Sequence, residues 1–227
     1  MVPSGGEVSP VPARPVVRGL RRVDLISPDP VAAAVRYRAL LDWTPEPTGR
    51  GFDCWVGNRR CSTIRKPRAG EPLGWRPVFA GSSPSCALTG PDDALAMVAR
   101  GRAQHGPLAP APRPGEPRWI ELATSDPDRA DAFWASTLNW SVRPTTGGAE
   151  YLVDDRPLAS RTNRRIAAAW GWLCFFAVAD LTDAEKLVTE VGAEVADRLE
   201  HPLLGETLVI TDPNGATIAL TTGDTWG

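Results

Sequence analysis

The hydrophobic pattern of this chain is written twice. "RVDLISPDPVAAAVRYRALLDW", from Arg22 to Trp43, and "WIELATSDPDRADAFWASTLNW", from Trp119 to Trp140, share a strand-to-helix pattern. Aligned without gaps at an offset of 97, Leu25 falls on Leu122, Asp29 on Asp126, Pro30 on Pro127, Ala33 on Ala130, Leu41 on Leu138 and Trp43 on Trp140. Tyr37 meets Trp134, and Asp24 meets Glu121. The register continues through "FDCWVGNRR" against "AEYLVDDRP" and pairs "GWRPVFAG" with "GWLCFFAV".

In the second copy "WIELATS" predicts a half-buried strand, with Ile120 and Leu122 on one face and Trp119 and Glu121 on the other. "SDPDRADAFWASTL" then opens a helix. Ser125 or Asp126 can accept the first free backbone N–H groups, Pro127 suits the first helical position, and Ala130, Phe133, Trp134 and Leu138 form an apolar stripe. Turn-rich "SVRPTTGG" leads to a strand "AEYLVDD", a return strand "PLASRTN", a strand in "GWLCFFAVAD" and a helix over "LTDAEKLVTEVGAEV". Strands "GETLVITDP" and "ATIALTT" close the pattern around the turn "DPNG". The first copy is shorter: after "WRPVFAG" it predicts a helix over "PDDALAMVARGRAQ" and then "HGPLAPAPRPGEP", an extended proline-rich linker. Nothing there pairs with the closing hairpin, so the N-terminal lobe is expected to lack it and to leave a sheet edge for the N-terminal arm, the other lobe or a second copy to cover.

The ordered set "WIELATSDPDRADAFWASTLNW", "GWLCFFAVADLTDAEKLVTEVGAEV" and "VITDPNGATIAL" resembles the glyoxalase/bleomycin-resistance/extradiol-dioxygenase group, the vicinal oxygen chelate superfamily. The resemblance covers the C-terminal lobe well and the N-terminal lobe more loosely. It implies an α+β fold of tandem βαβββ modules whose curved mixed sheets enclose a cleft, with the N-terminal lobe truncated. The expected organisation is a flexible arm over 1–16, a lobe over 17–106, a linker over 107–117 and a second lobe over 118–227. Members of the group use the cleft to hold a metal with His and Glu ligands, or to hold a small molecule. Here the first-strand ligand position falls on Trp119, and on Arg22 in the first copy; the second-module position falls near Leu173, and the final-strand Glu position falls on Ala219. None of these can ligate a divalent cation in the usual way. The resemblance therefore implies a cleft with no metal of the family type, and no other cofactor is expected.

Composition narrows the partners. With 25 basic and 27 acidic residues mixed along the chain, no nucleic-acid footprint or polybasic membrane patch is visible. No apolar run approaches the roughly 18 residues of a membrane span, and Met1 to Pro15 lacks the apolar centre of a secretory signal, so a cytoplasmic protein is expected. Cys54, Cys61, Cys86 and Cys174 show no CxxC spacing and read as small buried hydrophobes. His105 and His201, the only histidines, read as surface or loop residues.

Two kinds of side chain remain for the cleft. Glu121, beside Trp119, and Asp24, its counterpart, are the candidate general acids or bases, since a carboxyl beside an indole in a hollow is desolvated and titrates high. The competing reading of each is an internal salt bridge with one of the many Arg. Of the nine Trp, most read as core, Trp43 and Trp140 packing beneath the sheet. Trp119 reads as a ligand platform, Trp75, Trp172 and Trp55 follow it with undecided strand parity, Arg22 could pair with an acidic substituent, and Ala219 would line the cleft. The leading function is metal-independent binding of a natural-product-like aromatic or polyketide molecule, as in antibiotic sequestration. The alternative is a metal-independent cyclase or isomerase of specialised metabolism using Glu121 or Asp24; a metal-dependent lyase or dioxygenase built on His201 with Glu121 or Asp24 comes last.

Overall fold

The computed structural model of the chain describes residues 19–81 and 85–226. The arm expected over 1–16 lies outside them. Nineteen elements follow one another: β1 (Leu20–Ile26), α1 (Pro30–Leu41), β2 (Thr44–Thr48), β3 (Gly51–Val56), β4 (Arg59–Arg65), β5 (Gly74–Gly81), β6 (Cys86–Thr89), a 3-10 turn (Pro91–Asp93) and β7 (Leu95–Arg100). Then come β8 (Pro117–Ala123), α2 (Pro127–Leu138), β9 (Ser141–Thr145), β10 (Gly148–Val153), β11 (Arg156–Thr162), β12 (Gly171–Ala177), α3 (Leu181–Glu190), β13 (Glu194–His201), β14 (Gly205–Thr211) and β15 (Thr217–Thr221). Among the described residues no helix is long and apolar enough to cross a membrane.

The doubled sequence signals become doubled caps. Asp29 accepts from the amides of Val31 and Ala32 at 3.1 Å, and Asp126 accepts from that of Arg129 at 3.2 Å. α1 and α2 each start on a proline and end on a left-handed residue, Asp42 (φ 52°) and Asn139 (φ 58°), the residue types that tolerate this conformation with least strain. The expected stripes are buried: Tyr37, Trp134 and Leu138 are almost wholly covered.

Each lobe is one mixed sheet. The N-terminal order is β2-β3-β4-β1-β5-β7-β6 and the C-terminal order β13-β14-β15-β12-β8-β11-β10-β9. At the centre two first strands run antiparallel, β1 with β5 and β8 with β12, and each is flanked by a parallel partner. Every lobe is thus itself a pair of modules, and β8–β11 and β12–β15 are two complete βαβββ units.

The N-terminal lobe is reduced, but in a different place from the one expected. The helix predicted over 91–104 is a short turn followed by β7, which lies parallel to β5 as β15 does to β12, with β6 antiparallel to it. "TGPDDALAM" is therefore the counterpart of "TDPNGATIAL", and the closing hairpin is present. What the described residues lack is an equivalent of α3 and β13. The deletion shifts the register after residue 81, and Asp92 and Asp93 (both φ 55°) take the turn positions that Asn214 and Gly215 fill in the C-terminal lobe, which hid the match.

The lobes pack through exchanged phenylalanines. Phe176 sits against Trp43 and Trp75 at centroid distances of 5.6 and 5.7 Å, beside Tyr37, and Phe79 sits against Trp140 and Trp172 at 5.0 and 6.0 Å, beside Trp134. These two cages are the same positions at the offset of 97, so the duplicated sequence forms a self-complementary seam like that of a two-fold dimer. A Cβ on Gly90 would lie 2.5 Å from the Trp134 ring, so only glycine fits where that turn meets the opposite lobe. Asp92 accepts from Thr124 and Ser125, and the Tyr37 hydroxyl donates to Asp212, both across the seam. The linker is held between the lobes: Trp43 Nε1 donates to the Gly115 carbonyl, and Arg59 and Arg113 flank the buried Glu116 carboxylate.

Candidate functional site

The C-terminal sheet has a concave face set by strand alternation. Trp119 and Glu121 on β8 share it with Ser160 on β11, which lies directly opposite Glu121, and with Glu150 on β10. Leu173 and Phe175 of β12 and Ala219 of β15 continue it. His201 reaches it from the end of β13, its ring 5.3 Å from that of Phe175. A cavity of about 450 Å³ opens here, lined among others by Glu121, Glu150, Ser160, Arg164, Leu199 and His201.

Its polar groups form one chain. Trp119 Nε1 donates to Ser160 Oγ at 2.8 Å, which leaves the serine hydroxyl to donate to the Glu121 carboxylate. Glu121 Oε2 lies 3.7 Å from His201 Nε2. On the far side of the ring, Nδ1 accepts from the amides of Leu203 and Leu204 at 3.1 and 3.2 Å. Two donors at Nδ1 fix the tautomer: the proton is on Nε2 and points toward Glu121. At 3.7 Å no direct hydrogen bond closes, and Nε2 is buried without a partner. Burial pushes the Glu121 carboxyl up to about 7, the Ser160 hydrogen bond opposing it, and burial draws the His201 imidazole down to about 4. Near neutrality the site holds an uncharged imidazole and a carboxyl that gains or loses its proton with little cost.

The other expected site residues lie elsewhere. Asp24 is clamped by Arg22 in the N-terminal lobe at 2.6 and 3.0 Å, the salt-bridge reading. Trp75 and Trp172 are corrections: strand parity turns both away from the concave faces into the seam, where Trp75 meets Tyr37 at 5.0 Å and Trp172 meets Trp134 at 5.1 Å. Trp55 is a half-buried residue of β3 opposite Arg60, in the other lobe. Trp119 is on the concave face but covered, 1 % exposed, with Trp226 packed on it. Ala219 is wholly buried beside Phe175.

Both histidines were misplaced by sequence. His105 is buried, its Nε2 near the Arg60 carbonyl, and burial draws it down to about 3. His201 belongs to a strand hidden in "EVADRLEH", an exposed edge whose polar outer residues masked the two-residue period of Val195, Leu199 and His201. Cys86 is exposed, unlike the other three cysteines.

A family-type metal centre does not fit these residues. Trp119, Leu173 and Ala219 offer no donor, His201 Nδ1 is already occupied, and Glu121 with Nε2 makes only two. Among the described residues no three His, Cys, Asp or Glu side chains converge. A wider depression of about 760 Å³ lies in the N-terminal lobe between the start of α1, the β2–β3 turn and Lys66–Arg68, but its lining has no carboxylate or imidazole, so the smaller cavity holds the chemistry.

Residues 119–221 match the protein-family model described as "Glyoxalase-like domain". The glyoxalase-like match falls on the C-terminal lobe. The two-lobed fold is similar to a variant of homoprotocatechuate 2,3-dioxygenase from Brevibacterium fuscum, at 12 % identity and a TM-score of 0.61, covering 95 % of this chain and 73 % of that one. It is similar also to a catechol 2,3-dioxygenase, at 11 % identity and a TM-score of 0.61, covering 92 % of this chain and 94 % of that one. No curated protein matches the sequence. At such identities the likeness is one of fold, and function rests on the site itself.

Proposed function

We propose that the glyoxalase-like lobe is a metal-independent acid–base catalyst, of isomerase or cyclase type, acting on a small, largely apolar organic molecule held in the concave cavity. The observation that carries this is the buried Glu121 carboxyl, without a cation partner, lying 3.7 Å from His201 Nε2–H, so that the two groups sit side by side without satisfying each other. A substrate oxygen placed beside the pair would accept from the imidazole while Glu121 removes or returns a proton at the neighbouring carbon. Carboxyls poised near neutrality serve both directions of such a transfer. Trp119, Leu173 and Ala219, which leave the expected ligand positions without a metal donor, favour a second reading, sequestration of the molecule without turnover.

One experiment separates the two. The protein is incubated in heavy water with a panel of enolisable aromatic ketones and polyketide fragments, and deuterium uptake is followed by NMR. Exchange is expected with a midpoint near pH 7, and Glu121→Gln should reduce it by at least ~10²-fold while binding, followed by Trp fluorescence, persists. Equal exchange by the variant removes Glu121 from the chemistry. Tight binding with every ligand recovered unexchanged is the sequestration result.

A further inference from the structure

The concave face is finished by residues that belong to no strand. After β15 the backbone amide of Gly223 donates to Thr221 Oγ1 at 3.0 Å, and a Cβ on Gly223 would lie 2.2 Å from the Leu204 carbonyl oxygen. The segment therefore runs hard against the turn whose amides hold His201. Asp224 pairs with Arg118, and Thr225 Oγ1 donates to the Arg118 carbonyl at 2.9 Å. Trp226 then lies on Trp119 with ring centroids 5.6 Å apart, 2 % exposed.

We propose that Trp226 is a displaceable plug on Trp119, behind the cavity wall formed by Glu121 and Ser160, and that the ligand replacing it is a flat, uncharged, bicyclic aromatic group. The proposal rests on the reading that this cavity binds a small molecule and specifies what it binds. Trp119 spends its N–H on Ser160, so its ring face is the surface it has left to offer. Ser160 accepts from the edge of the Trp119 indole and hydrogen-bonds Glu121, so a ring stacked on Trp119 lies one serine away from the carboxyl. The plug fits the place imperfectly: the Trp226 N–H is buried without an acceptor, a loss that a ligand ring lacking that donor avoids. Its tether is slight. The Asp224 side chain is 88 % exposed, so its pairing with Arg118 is open to screening by salt. The group is uncharged, like the indole it replaces, because that place is buried against an apolar ring.

Free indole is the probe. Trp226→Ala vacates the subsite, and indole should bind it at least tenfold more tightly than it binds the unaltered protein, by calorimetry. In the same variant, saturating indole should raise the midpoint of the Glu121 carboxyl titration, followed by infrared spectroscopy, because the ring displaces water from beside it. Asp224→Ala, which loosens the tether and keeps the plug, should give a smaller gain in the same direction and decides the question if Trp226→Ala does not fold. Unchanged or weaker indole binding by a folded variant means that Trp226 is a wall and overturns the proposal. So does binding that leaves the Glu121 midpoint unmoved, since the hole is then closed off from the cavity. The affinity gain should persist with Glu121→Gln in place, so failure of the plug is distinguishable from failure of the proton-transfer reading.

Discussion

The two concave faces present the same backbone positions with opposite electrostatic outcomes. In the N-terminal lobe Arg22 clamps Asp24, Arg60 and Thr63 hold Asp53, and Glu71 bridges Arg65 and Arg76. The Arg65 guanidinium holds the Glu71 carboxyl down to about 2. At the offset of 97 the C-terminal lobe puts Trp119 in place of Arg22 and Leu173 in place of Arg76. Glu121 keeps the carboxylate position of Asp24 and loses its cations, and burial without such a partner raises its carboxyl to about 7. What differs is the partner at two residues' remove on the strand and at one cross-strand position.

That contrast can be broken from either side. The largest effect is expected in the N-terminal lobe, where Arg22→Met leaves the buried Asp24 carboxylate unpaired; urea unfolding at pH 7 should show a loss of about 3–5 kcal/mol. A loss of under 1 kcal/mol would mean that the pair is as weak as a surface one.

Next is Glu121→Gln. The folded-state pKa of Glu121 lies above its unfolded value, so its stabilisation is complete at low pH and drains away as pH rises from about 4.5 to 7. The variant should match the unaltered protein at pH 4 and exceed its stability at pH 8 by up to about 3 kcal/mol. A pH-independent difference would place the carboxyl in a polar setting.

Leu173→Arg writes the N-terminal partner into the C-terminal lobe. The Glu121 midpoint, read from its infrared band, should fall from about 7 by about 1–3 pH units. An unmoved midpoint would mean that the new guanidinium faces solvent.

The smallest effect belongs to His201→Phe, which fills the same space but frees the amides of Leu203 and Leu204 at a cost of about 1 kcal/mol above pH 6.5. His201 has a lowered folded-state pKa, so its contribution is present above 6.5 and is lost as pH falls toward 4. The deficit of the variant should therefore vanish on acidification in thermal melts and reverse as pH approaches 4; a constant gap would mean that the imidazole is free to charge.

Much of this was legible in one dimension. The caps at Asp29 and Asp126, the tyrosine and tryptophan stripes and the strand parity of Trp119 and Glu121 are local facts, set by hydrogen-bond geometry and by the periods of helix and strand. The elements missed were those in which local signals conflict with tertiary use. β7 reads as a helix because "DDALAMVAR" is rich in helix formers, yet pairing with β5 overrides that propensity. β13 reads as a loop because an edge strand buries only alternate residues, and with it went His201. The seam hid the roles of Trp75 and Trp172, since a large aromatic on a strand carries no mark of whether it meets a ligand or the other lobe.

By itself the sequence determined the duplicated scaffold, its α+β class and the absence of ligating side chains at Trp119, Leu173 and Ala219, because caps, periodicities and donor chemistry act over a few residues. Only the tertiary structure decided that Asp24 is paired with Arg22 while Glu121 has no cation, that His201 lies 3.7 Å from that carboxyl, and that Trp226 covers Trp119. Charge state depends on burial and on partners up to about a hundred residues away along the chain, and those distances exist only once the sheets are folded.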